Sequence, residues 1–190
     1  MECNDTPREF VFYHADRSAS LKEGQRIELN ENDLSVFGET YWHVFQTKTV
    51  EEMDSTQRRE FYLEKIRREP EFVLYTSRLQ CIFAANTLAE AIVFAQAITP
   101  VPSHPIPIYE IYADRFWNLD TTWIDFVEGP NQFAQYRSYW HGKICNYRPS
   151  KGERCIPKVE VLIPLPARIG KIVYTVNNGD AIFDPRKDLI

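Results

Sequence analysis

Three short segments of this chain carry residue types that could do chemistry. The first is Tyr13-His14, at the end of the apolar run Phe10-Val11-Phe12-Tyr13. A histidine at a strand end can hydrogen-bond a ligand through either ring nitrogen. A histidine that merely caps a turn is the competing reading. The second is Ser77-Arg78, running into Leu79–Ala84. Arginine offers a rigid, always charged fork that suits phosphate. Phe83 and Phe94 follow, either to stack on a ring or to fill a core. The third is Lys158-Val159-Glu160-Val161-Leu162-Ile163-Pro164. Strand periodicity sets Val159, Val161 and Ile163 on one face, and Glu160 with Leu162 on the other. A carboxylate among apolar neighbours is costly unless it has partners or faces a cleft. A charged gatekeeper on an edge strand is the equally weighted alternative.

The four cysteines, at 3, 81, 145 and 155, contain no Cys-x-x-Cys pair, and their spacing with His141 fits no metal template. No metal site is expected. A hydrolase using Cys81 or Cys145 as nucleophile lacks any evident base beside either thiol.

Elements must position these residues. Thr49-Val50-Glu51-Glu52 reads as a capping box opening a charged helix that stops before Pro70, with Met53, Phe61, Tyr62 and Ile66 buried. Leu79–Ala84 reads as a strand. Thr87-Leu88-Ala89-Glu90 is a second capping box, and Leu88, Ala91, Ile92, Ala95 and Ile98 form an apolar stripe behind it. Pro100, Pro102, Pro105 and Pro107 make a stiff connector. Strands are expected at 108–112, 121–127, 159–163 and 169–176, with a helix at 132–140. Strand, helix, strand, helix, then mostly strands favours an α+β fold in a single domain spanning 1–190.

With 190 residues, 44% of them apolar, the chain can build a core. Its 22 basic and 27 acidic residues give a net charge of −5, which excludes a uniformly basic nucleic-acid coat. No run of about 18 apolar residues appears, so no membrane span is expected. The polar start, Met1-Glu2-Cys3-Asn4-Asp5, lacks the pattern of a secretory signal. A cytoplasmic protein, or one delivered into a target cell's cytosol, is the expectation. Arg137, Lys143, Arg148, Lys151, Arg154 and Lys158 cluster late with Trp140 and Tyr147. Basic residues among aromatics could hold a single nucleic-acid strand, although a solvated loop is the commoner meaning.

Taken in order, Tyr13-His14-Ala15-Asp16-Arg17-Ser18, Ser77-Arg78-Leu79 with Ile82-Phe83-Ala84, Tyr139-Trp140 and Val159–Pro164 resemble an ADP-ribosyltransferase. The resemblance runs from about residue 10 to about residue 176. It is to small uncharacterised bacterial families and, more distantly, to DarT-type DNA-modifying toxins. It implies a split, mostly antiparallel sheet with flanking helices and a central cleft that takes NAD as substrate. It implies Glu160 as the catalytic carboxylate and His14 on the nicotinamide half. Arg17 or Arg78 would reach the pyrophosphate, with Ser77 beside Arg78, and Phe83 or Tyr139 would stack on nicotinamide. It also implies a macromolecular acceptor, RNA or DNA to be tested first, a role as toxin, effector or antiphage factor, and an antitoxin or inhibitor as partner. Position 158 is lysine, so the Gln-x-Glu or Glu-x-Glu pair of the arginine-modifying class is missing, and Tyr75-Thr76-Ser77 only echoes its Ser-Thr-Ser motif. A non-catalytic nucleotide- or protein-binding module on the same fold is the alternative.

Overall fold

Eleven regular elements follow one another in the computed structural model, which describes residues 9–125, 129–146 and 157–177. They are β1 (Phe10–Ala15), β2 (Arg26–Ile27), α1 (Val36–Thr47), α2 (Ser55–Arg67), β3 (Cys81–Ala84), α3 (Leu88–Gln96), β4 (Ile106–Ala113), β5 (Trp117–Asp120), α4 (Gln132–Trp140), β6 (Val159–Pro164) and β7 (Ala167–Val176). Single 3-10 turns occupy Arg78–Gln80 and Thr121–Trp123. The fold is α+β. Two sheets form, in the orders β1-β4-β7-β2 and β3-β6-β5. Pairings of β1 with β4, β4 with β7, β2 with β7 and β5 with β6 are antiparallel.

The chain divides into two compact units, each discontinuous in sequence. The first comprises residues 1–27, 83–116 and 166–190. It holds the four-stranded sheet and α3. Ala91, Ile92 and Ala95 of α3 pack on Ala85, Ile106, Ile108 and Val176, an apolar layer built from the stripe read in the sequence. Thr87 and Glu90 exchange hydrogen bonds as a complete capping box. Gly170 of β7 is required by close approach, since a Cβ there would stand 2.5 Å from the Tyr112 ring and 2.8 Å from the Glu110 Cβ.

The second unit comprises residues 28–82 and 117–165. Its helices differ from expectation. α1 is not legible in its sequence, because Val36-Phe37-Gly38-Glu39-Thr40-Tyr41-Trp42 is rich in β-branched and aromatic residues of weak helix propensity. Ser35 caps it by accepting from the Gly38 N–H at 3.1 Å. α2 starts at Ser55, not after Thr49. Asp54 and Gln57 make the working capping box, while Thr49 and Glu52 close only a local turn. Met53 and Ile66 are buried as expected, but Phe61 and Tyr62 are half-exposed. The strand expected at 121–127 is replaced by the 3-10 turn, and β5 lies just before it; residues 126–128 fall outside the described segments. β6 is the centre of its sheet and is buried on both faces from Glu160 to Pro164, so the edge-gatekeeper reading of Glu160 fails.

Candidate functional site

The deepest polar cluster of the described residues lies in the second unit. α1 sets its geometry. Gly38 approaches the turn at Arg78–Gln80 so closely that a Cβ would sit 1.9 Å from the Leu79 carbonyl oxygen. Ser35 donates to that same carbonyl through both its backbone N–H, at 2.8 Å, and its hydroxyl, at 3.0 Å. The turn is thereby clamped, and Arg78 projects from it with 6% of its surface exposed.

Three side chains meet around that guanidinium. Nε of Arg78 donates to Glu60 Oε2 at 2.8 Å. Nη1 donates to both the Tyr139 hydroxyl and Glu160 Oε1. The Tyr139 hydroxyl in turn donates to Glu160 Oε1 at 2.5 Å. Glu60 is 1%, Tyr139 0% and Glu160 8% exposed. Burial disfavours the charge on Arg78, but Glu160 and Glu60 outweigh it and hold its pKa well above the ordinary value. Burial, together with Glu160 and against the opposing pull of Arg78, lifts the Tyr139 hydroxyl well above its usual range. The phenol therefore stays protonated and serves as a donor.

The two oxygens of Glu160 are not equivalent. Oε1 takes both donors, whereas Oε2 accepts no hydrogen bond among the described residues. No buried side-chain polar atom there lacks a partner, so Oε2 reaches solvent. The arrangement is a carboxylate fixed through one oxygen, with 11% of its side chain exposed.

A second ionic group adjoins in sequence. Glu64, four residues after Glu60, accepts from Arg67 twice at 2.9 Å, from Arg68 at 2.9 Å and from the Ser77 hydroxyl at 2.8 Å. Burial opposes its charge, yet these donors hold its carboxyl below the ordinary range. Ser77 also lines a cavity of about 400 Å³ with Trp42, Arg67 and Gln80.

Of the residues singled out in the sequence, Arg78, Tyr139 and Glu160 come together, and Ser77 lies one residue from Arg78 on Glu64. Tyr139, expected to stack on nicotinamide, is fully buried and holds Glu160. His14, Arg17 and Phe83 belong to the first unit. There the His14 Nδ1–H donates to the Phe83 carbonyl at 2.6 Å, which leaves Nε2 as an acceptor. Burial lowers the His14 pKa, against the raising effects of that carbonyl and Asp16, so the ring is held neutral. Asp16 is 3% exposed and accepts from the Ser18 N–H, the Ser18 hydroxyl and the Leu21 N–H. Burial works against its charge, but these bonds and His14 bring its pKa below the usual value. Arg17 donates to the Pro100 carbonyl at 3.4 Å.

The late basic cluster takes a different form. Trp140 is buried and donates to the Leu63 carbonyl, Arg137 pairs with Glu69, and Lys158 pairs with Asp125. Tyr147, Arg148, Lys151 and Arg154 lie outside the described residues. Cys81 and Cys145 are buried thiols, 1% and 0% exposed, which removes access for a cysteine nucleophile. Among the described residues no helix is long and apolar enough to cross a membrane.

Glu60 is the member that sequence reading missed. It resembles any charged position of a surface helix, yet 60, 63 and 66 share the stripe that buries Leu63 and Ile66. A carboxylate on an apolar stripe was the available signal.

The class these features define is an α+β protein with two small antiparallel sheets and a buried Arg–Glu–Tyr network. More particularly, the chain belongs to the family described as "Protein of unknown function (DUF2441)", whose sequence profile matches residues 38–173. The whole network lies inside that span, and His14 and Arg17 precede it. No curated protein matches the chain.

Proposed function

We propose that this protein is an NAD-dependent ADP-ribosyltransferase on an ADP-ribosyltransferase-like split sheet, transferring ADP-ribose to a macromolecular acceptor. The observation that carries this reading is the Glu160 carboxylate, braced at Oε1 by Arg78 and Tyr139, with no hydrogen bond at Oε2 among the described residues and 11% of its side chain exposed. Two antiparallel sheets, of four and three strands, also agree with the resemblance.

The reaction suits such a carboxylate. The bond that breaks joins the ribose carbon to the pyridinium nitrogen, and nicotinamide leaves neutral with the bonding pair. No general acid is needed. Positive charge grows on the ribose, as in glycoside cleavage. A fixed carboxylate stabilises it without reorganising and can accept from a ribose hydroxyl. The acceptor nucleophile then bonds to the same carbon and loses its proton to water. Arg78 acts in this reading as the positioning residue for Glu160, and Glu60 as the anchor of Arg78. The roles of His14 on the nicotinamide half, Arg17 on the pyrophosphate and Phe83 on the ring rest on the resemblance alone. RNA or DNA is the first acceptor to test, and a toxin, effector or antiphage role with a cognate inhibitor is the corresponding biology.

The test uses NAD labelled on its adenylate, incubated with cell lysate and either the wild type or Glu160→Gln. Label should enter the nucleic-acid or the protein fraction and fall by about 10²–10³-fold in the variant, the scale of losing one preorganised electrostatic group. Intact NAD with folded wild type, or full labelling by Glu160→Gln, would overturn the reading and leave a binding module.

A further inference from the structure

Helix α2 has an unusual division of charge. From Arg58 to Arg68 it carries Arg58, Arg59, Lys65, Arg67 and Arg68 against only Glu60 and Glu64. Both carboxylates are buried and paired, Glu60 with Arg78 and, at 3.3 Å, with Arg59, and Glu64 with Arg67 and Arg68. Every solvent-facing charge of the helix is therefore positive. In a chain of net charge −5 this is a local reversal of sign.

Beside that face runs a ladder of six rings. Phe37, Tyr41 and Phe45 stand four residues apart on α1, Phe61 and Tyr62 on α2, and Phe133 on α4. Successive centroids are 4.6, 6.3, 5.4, 5.5 and 5.0 Å apart. All six are half-buried or exposed, with Phe133 at 44%. The ladder begins where the network ends: the Arg78 guanidinium lies 5.9 Å from the Phe37 centroid and 5.4 Å from the Tyr139 centroid. Two acids border it. Glu60 lies buried near Tyr41, and Asp54 at the α2 N-cap is engaged by the Gln57 N–H.

A row of accessible rings flanked by cations is a stacking platform with an electrostatic track. We propose that this face binds single-stranded nucleic acid, with bases against the Phe45–Phe61–Tyr62–Phe133 end of the ladder and phosphates against exposed Lys65, Arg59 standing beside it on Glu60. A duplex fits less well, because its bases are already stacked and its faces closed. A folded protein partner would use the rings but not the solvent-facing cations. That the bound strand is the acceptor for Glu160 rests on the transferase reading; the binding does not.

The experiment measures fluorescence anisotropy of labelled strands of about 16 nucleotides, as single-stranded DNA, single-stranded RNA and duplex DNA, with the full chain and no NAD. Single strands should bind more tightly than duplex. Phe133→Ala, at an exposed ring, should weaken single-strand binding about tenfold. Lys65→Glu, at an exposed cation, should flatten the salt dependence by about 0.7 in log–log slope for each phosphate that is no longer neutralised. No binding at about 100 µM protein, duplex binding as tight as single-strand binding, or no effect of Phe133→Ala would each overturn the proposal. Strand binding that persists while NAD labelling fails would leave this surface standing and remove the transferase reading instead.

Discussion

Both units bury apolar side chains, but they differ in the polar groups they bury among them. The first buries methyl groups: α3 lays Ala91, Ile92 and Ala95 on the strands, and its buried polar side chain, Asp16, is satisfied by three donors within five residues of chain. The second buries charge, and its partners come from far apart. Arg78 meets Glu60 eighteen residues away and Glu160 eighty-two residues away. An apolar layer degrades gradually when trimmed, because neighbours relax into the gap. A buried ionic network does not, because each partner removed strands another charge. Such a network fixes geometry at a cost in stability, which is what a site that positions one carboxylate requires.

The largest break in this contrast is expected from Arg78→Met. It leaves Glu160 buried without its cation and Glu60 with Arg59 alone, and should destabilise the protein by about 3–5 kcal/mol in denaturant unfolding. Truncating Ile92 to alanine in the apolar layer should cost about 2–3 kcal/mol, toward the lower end for such changes. Equal losses would erase the distinction between the units. A smaller effect is expected from Gly38→Ala, which drives a Cβ into the Leu79 carbonyl. A cost of about 1–3 kcal/mol should appear in thermal unfolding. Under the proposed transferase function, NAD turnover should fall with it, since the displaced turn carries Arg78; turnover left intact would mean that the clamp does not position the site.

The smallest effect is a dependence on pH. His14 has a folded pKa below its ordinary 6.5, so its unfolded form takes the proton first. Its stabilising contribution is complete above pH 6.5 and declines as pH falls below that value. Glu64 has a folded pKa below 4.5, so its contribution is present above pH 4.5 and is lost as pH falls through the folded value. Unfolding curves should therefore lose stability in two limbs, the upper assigned to His14 of the first unit and the lower to carboxylates of both units, Glu64 and Asp16. His14→Gln should abolish the upper limb alone; an unchanged upper limb in that variant would contradict the assignment.

What the sequence made legible follows the same division. α3, with its capping box and apolar stripe, is a local pattern and could be read directly. So could β1, β6, β7 and α4, though their ends shift by a residue or two. α1 could not, because Gly38 and its aromatic neighbours speak against a helix until the Leu79 turn is there to receive them. Asp54 was overlooked as a cap because Thr49 and Glu52 offered the same motif five residues earlier. Arg78, Tyr139 and Glu160 were each named from the sequence, but not as partners. Their pairing depends on the meeting of distant segments, and only burial reveals Glu60 as the fourth member.

The interleaving of the two units has a consequence for synthesis. All of the second unit, residues 28–82 and 117–165, leaves the ribosome before β7 does, whereas β1 of the first unit emerges early and β7 last. β4 needs both as neighbours. The ion network can thus assemble on a nascent chain while the four-stranded sheet still lacks its fourth-to-emerge strand. Until then β4 carries one open edge, the kind of exposed strand that recruits chaperones or neighbouring chains. A released chain truncated just short of residue 167 would carry every residue of the charged cluster and lack β7.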